Sequence, residues 1–117
     1  MPLAYALGDA LCLFSDTPAE TWGLVVNEAL ACGRPVIVSE CCGCAPDLVE
    51  GKGTGWVVPA GDVRAASSAL NAACARRSEW PAMGERGWAV VANHSFARMA
   101  ESITAALSSL NSRAYGL

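Results

Sequence analysis

Glu20 and Glu28 stand eight residues apart in the stretch Glu20-Thr21-Trp22-Gly23-Leu24-Val25-Val26-Asn27-Glu28. They straddle a loop-to-helix junction, with Glu20 before the helix and Glu28 inside it. Gly23, between them, lets a ligand approach the backbone closely. The next amides, at Leu24 and Val25, are unpaired donors at a helix N-terminus. Such an end attracts anions through its N–H groups and its dipole, so it can hold a phosphate. A phosphate at the helix end with a carboxylate on either side suits a sugar nucleotide, which has hydroxyls at both ends of its diphosphate. The same residues also fit an ordinary capped helix with two solvated glutamates, and spacing alone does not separate the two. Trp22, beside Glu20, either stacks on a ligand or packs on its neighbours.

The other chemistry-bearing residues are six cysteines: Cys12, Cys32, Cys41, Cys42, Cys44 and Cys74. The run Cys41-Cys42-Gly43-Cys44 raises the possibility of a metal or redox module. Structural zinc wants four ligands, usually from two separated pairs. Here a second pair is missing and His94 is the sole histidine. No metal is therefore expected, and these cysteines read as the turn after a strand. Cys12, Cys32 and Cys74 fall in an apolar run or on apolar helix faces and read as small core hydrophobes. Met1, Pro2 and Leu3 offer no basic n-region, so no secretory leader is expected. Free thiols and a cytoplasmic location follow as expectations.

The elements that must position these residues are legible as apolar runs and capped stripes. Residues 9–15 read as a buried strand, followed by a loop over 16–20. Residues 24–32 read as a helix with Val25, Ala29 and Cys32 on one stripe and Val26 and Leu30 beside it. Gly33 stops it. Pro35–Ser39 is a second strand, Pro46–Glu50 a single helical turn, and Gly55–Val58 a third strand. Asp62 caps a helix whose apolar stripe is Val63, Ala66, Leu70, Ala73 and Cys74. Ser78 is placed to cap another helix, to about Ala92, and Ser95 the last one. That final helix repeats Phe96, Met99, Ala100, Ile103, Ala106, Leu107 and Leu110. Strands joined by helical crossovers predict an α/β fold with a thin parallel sheet of about three strands.

Composition bounds the rest. The chain has 117 residues with 8 basic and 11 acidic side chains, a net charge of −3. That excludes a polybasic binder of nucleic acid as the default. Hydrophobic residues make up 53% and charged ones 16%, so the chain is not disordered. So short a domain cannot hide all of that apolar surface, which predicts a partner surface or self-association. The longest apolar run, Leu3–Phe14, is broken by Asp9 and is too short for a transmembrane segment.

Residues 15–49 resemble the donor-site signature of family 4 (group 1) glycosyltransferases with the GT-B fold. The matching stretches are Glu20 to Gly33, then Arg34-Pro35-Val36-Ile37-Val38-Ser39, then Gly43-Cys44-Ala45-Pro46-Asp47-Leu48-Val49. Gly55 to Asp62 and His94-Ser95-Phe96 are similar to later segments of the same family. The resemblance implies part of a Rossmann-like three-layer domain over residues 1–110, the second half of a nucleotide-sugar-binding domain, with 111–117 as a polar tail. It implies retaining transfer of a sugar from a nucleotide-sugar donor. Glu20 matches the glutamate at the donor sugar, which orients hydroxyls and stabilises positive charge at the reacting carbon. Glu28 matches the glutamate that takes the ribose hydroxyls. Gly23, Leu24 and Val25 match the amides facing phosphates or sugar, with Trp22 beside them. No metal or other cofactor is implied.

The resemblance reaches only the latter part of the family's second domain. The acceptor domain has no counterpart in these residues. Nor have the first strands of the donor domain, which carry the family's diphosphate-binding Arg and Lys. Arg34 does not match that pair and reads as a surface charge. The isolated chain is therefore expected to be inactive. The alternative is a non-catalytic module that binds a nucleotide sugar or a partner and pairs with a separately encoded domain.

Overall fold

The computed structural model describes the backbone of residues 2–115 and the side chains of residues 3–110. The elements run α1 (Pro2–Leu7), β1 (Leu11–Leu13), α2 (Leu24–Ala31), β2 (Val36–Ser39), β3 (Gly55–Val58), α3 (Val63–Ala75), α4 (Trp80–Ala92) and α5 (Phe96–Tyr115). A single wide turn, Ala45–Val49, follows β2, and a 3-10 turn, Arg77–Glu79, leads into α4. The three strands form one parallel sheet in the order β1-β2-β3. Leu11, Cys12 and Leu13 lie opposite Val36, Ile37 and Val38. Val36 to Ser39 lie opposite Gly55 to Val58. The α/β class and the thin parallel sheet expected from the sequence are those observed.

β2 is central, so all four of its residues are buried. Alternate side chains leave a strand on opposite faces, and β2 divides the core accordingly. Val36 and Val38 join Val26, Ala29 and Leu30 of α2 with Cys42, Cys44, Ala45, Leu48 and Val49. Ile37 faces the other way, into Val58 with Ala69 and Ala73 of α3. The caps that depend on neighbours in sequence form as expected. Asp62 Oδ1 accepts from the Ala65 amide at 2.9 Å, and Ser95 Oγ from the Arg98 amide at 3.3 Å.

Several expectations are corrected. The first strand is shorter than residues 9–15 and is an edge, so Cys12 is exposed and Leu11 and Leu13 are half-buried. α3 turns Ala69 and Ala73 inward and leaves Val63 and Leu70 exposed, because it sits over β2 and β3 rather than over the β1 edge. Cys74 is exposed for the same reason and Cys32 is only half-buried; the cysteines in the core are Cys42 and Cys44. Ser78 caps nothing. α4 begins at Trp80, with Pro81 in its first turn and the 3-10 turn before it, and no side chain caps that end. α1 was not anticipated. α5 extends helically to Tyr115, through most of the stretch read as a tail. Residues 96–110 are exposed throughout, including Phe96, Ile103 and Leu107.

Candidate functional site

The N-terminus of α2 is built by two backbone segments held side by side. The loop over 20–22 pairs with the turn after β2: the Gly43 amide donates to Glu20 O at 3.3 Å and the Cys44 amide to Trp22 O at 2.9 Å. Residue 43 must be glycine for this approach, since a Cβ there would collide with the Thr21 carbonyl. The chain then turns into α2 at Gly23, whose φ of 90° lies in the left-handed region where side chains are strained. Leu24 and Val25 follow as the first helical residues, 64% and 37% exposed. No side chain caps this end. Its first amides are therefore open to an incoming acceptor, the arrangement an anion requires.

The cysteine-rich turn is the support beneath that end. Cys44 Sγ lies 3.9 Å from Gly23 O and Cys42 Sγ 3.6 Å from Leu13 O, both within reach of a thiol donor. Ser39 Oγ donates to Ser15 O at 2.5 Å, tying the carboxyl ends of β1 and β2 together. Burial, first, and then the Cys42 thiol beside it push Cys44 up to about 11, so it stays a neutral thiol at physiological pH. Among the described residues no three His, Cys, Asp or Glu side chains gather as a metal would need.

The predicted site residues fall as follows. Trp22, Gly23, Leu24 and Val25 meet at the head of α2. Trp22 is half-buried and held by its neighbours: its Nε1–H donates to Asn27 Oδ1 at 2.7 Å, and its ring lies 6.4 Å from that of His94. It also lines an apolar groove of about 660 Å³ with Leu24, Val91, Phe96 and Met99. A second cavity, about 450 Å³, lies at the carboxyl ends of the strands between Phe14, Ser39, Val58 and Leu70. Neither Glu20 nor Glu28 lines either one. Glu20 is half-buried, and only its backbone is pinned, by Gly43; its carboxylate takes no hydrogen bond among the described residues. Glu28, about one and a half turns along α2 from Gly23, accepts a hydrogen bond from Tyr5 Oη at 2.6 Å.

Sequence reasoning missed Tyr5, which sits in an apolar run without a motif around it. It also misread Arg34 as a surface charge. Arg34 is half-buried and donates to the carbonyls of Tyr5 and Ala6 at 2.9 and 3.1 Å. The cysteine turn was placed correctly after a strand, but its role in seating Gly23 depends on contacts across 21 residues.

Residues 1–87 match the family model described as glycosyl transferases group 1. The fold is similar to sucrose-phosphate synthase from Thermosynechococcus elongatus, with a TM-score of 0.71 and 27% identity over 95% of this chain. The chain spans 27% of that protein's length. No curated protein matches at a comparable level of significance. With the signature residues gathered at the head of α2 and the family model covering most of its length, this chain belongs to the group 1 glycosyl transferases.

Proposed function

We propose that this chain is the donor-binding portion of a retaining glycosyltransferase that moves a sugar from a nucleotide-sugar donor. The observation that carries the reading is the uncapped N-terminus of α2, opened by left-handed Gly23 and flanked in sequence by Glu20 and Glu28. A diphosphate accepts from the amides of Leu24 and Val25, where the helix dipole favours negative charge. Glu28 accepts from the ribose hydroxyls at one end. Glu20, free of competing hydrogen bonds, orients the donor sugar at the other and stabilises positive charge as the glycosidic bond breaks. Backbone amides meet the phosphate charge, without a metal in this reading. The setting is cytoplasmic, and no helix among the described residues is long and apolar enough to cross a membrane.

These 117 residues do not turn over by themselves in this reading. Group transfer needs donor and acceptor held in one geometry, which supplies on the order of 7–11 kcal/mol of the barrier. Among the described residues the one sheet offers no second surface to hold an acceptor or exclude water. A diphosphate carries about two negative charges, against about half a compensating charge at one helix end, so binding is millimolar or weaker. Heteronuclear NMR titration of the chain with ADP, GDP and UDP in turn tests the reading. Shifts centred on the Leu24 and Val25 amides, weakened about tenfold or more in Glu28→Ala, support it. Shifts elsewhere, or none as nucleotide is raised well beyond the millimolar range, refute it.

A further inference from the structure

Glu28 is not a freely moving carboxylate. Tyr5, half-buried at the middle of α1, donates its hydroxyl to Glu28 Oε2 at 2.6 Å. Arg34 holds α1 in place by donating from Nε to Tyr5 O at 2.9 Å and from Nη2 to Ala6 O at 3.1 Å. Those carbonyls belong to the last turn of α1, where a cation also complements the helix dipole. Arg34 is itself seated by the end of α2, since its amide donates to Ala29 O at 2.9 Å. The connection from α2 through Arg34 and α1 to Tyr5 thus returns to α2 at Glu28. Glu28 Oε1 takes no hydrogen bond among the described residues.

We propose that Tyr5, seated by Arg34, is a positioning residue for ribose recognition: it holds Oε2 so that the Glu28 carboxylate presents Oε1 to the ribose hydroxyls in a fixed plane. This rests on the donor-binding reading above. An ionised carboxylate only accepts, so the phenol must donate and the remaining lone pairs stay available to hydroxyl donors. A glutamate on three rotatable bonds loses rotamer entropy when it binds, and a side chain already held loses less. The Tyr5 phenol is pushed up to about 12, chiefly by this hydrogen bond, so the donor proton is in place at neutral pH.

The test compares the full chain with Tyr5→Phe, Arg34→Ala and Glu28→Ala. Each is titrated with ADP, GDP and UDP and with their dideoxyribose counterparts, following the Leu24 and Val25 amides. Tyr5→Phe keeps the ring and is expected to weaken the ribose compounds about 2- to 10-fold, the scale of one hydrogen bond, while leaving the dideoxy compounds unchanged. Arg34→Ala, which frees α1 but keeps the hydroxyl, is expected to show a smaller loss confined to the same compounds. Equal weakening of ribose and dideoxyribose compounds in both variants would mean a merely structural role and overturn the proposal. Unchanged affinity in Tyr5→Phe where Glu28→Ala weakens binding would overturn it while the donor-binding reading stands. Absence of any diphosphate binding in the wild-type chain would overturn the donor-binding reading and this inference with it.

Discussion

Replacing Gly23 by alanine isolates how tightly the head of α2 is built. Gly23 has φ 90° and Gly61 has φ 72°, so a Cβ is strained at both. The two differ in what surrounds them. At Gly61 an added Cβ meets nothing within 4 Å. At Gly23 it lies 3.3 Å from Leu13 Cδ2, 3.5 Å from Cys44 Sγ and 3.7 Å from Val26 Cγ2. A left-handed alanine costs about 1–2 kcal/mol. The narrower unfolded ensemble returns about 0.4–1 kcal/mol, leaving roughly 1 kcal/mol for Gly61→Ala. Gly23→Ala adds overpacking at the low end of its usual range of about 1–3 kcal/mol. Leu13 Cδ2 is the neighbour that must shift, by a few tenths of an ångström, while the fully buried Cys44 is already in ordinary contact with the added carbon. Gly23→Ala should therefore be about 1 kcal/mol less stable than Gly61→Ala. In thermal unfolding that is roughly 4 °C for a domain of this size. Urea unfolding followed by circular dichroism measures both. If Gly23→Ala proves as stable as Gly61→Ala, the claim that Leu13 of β1 packs tightly against the head of α2 is wrong.

In an enzyme that supplies an acceptor side, Glu20→Gln should lower the turnover number more than it changes donor affinity, because the charge it stabilises develops in the transition state; a change in donor Kd alone removes Glu20 from the reaction. Stability should be fully present below the ordinary thiol range and fall as pH rises, since the folded chain holds the protons of Cys12, Cys44 and Tyr5 more tightly than the unfolded one. Cys44 contributes between 9.0 and about 11, and Tyr5 between 10.0 and about 12. Urea midpoints across that range should flatten in their lower part in Cys44→Ala and in their upper part in Tyr5→Phe, and unaltered slopes refute the assignment. The exposed stripe of Met99, Ile103, Leu107 and Leu110 on α5 should make the isolated chain self-associate. Sedimentation should show a mass above the monomer that Ile103→Glu with Leu107→Glu reduces, and a monomeric wild-type chain contradicts it.

What the sequence determined by itself is what local physics decides. The run Val36–Ser39 is apolar on both faces and becomes the doubly covered central strand. Asp62 and Ser95 cap their helices because a cap joins a side chain to an amide three residues on. The order and spacing from Glu20 to Gly33 carried the family, since glycine and carboxylates at a helix start are a local arrangement. What the tertiary structure decided is which surfaces meet. Cys12 and Cys74 look apolar enough for a core, yet both are exposed, on the edge strand and on the outer part of α3, while Cys42 and Cys44, in a turn, are buried. A residue's burial belongs to its neighbours in space, and a periodic pattern reveals only that a face is apolar. Tyr5 and Glu28 are 23 residues apart and share one hydrogen bond. No spacing rule links them, because the bond exists only once α1 has been drawn against α2 by Arg34.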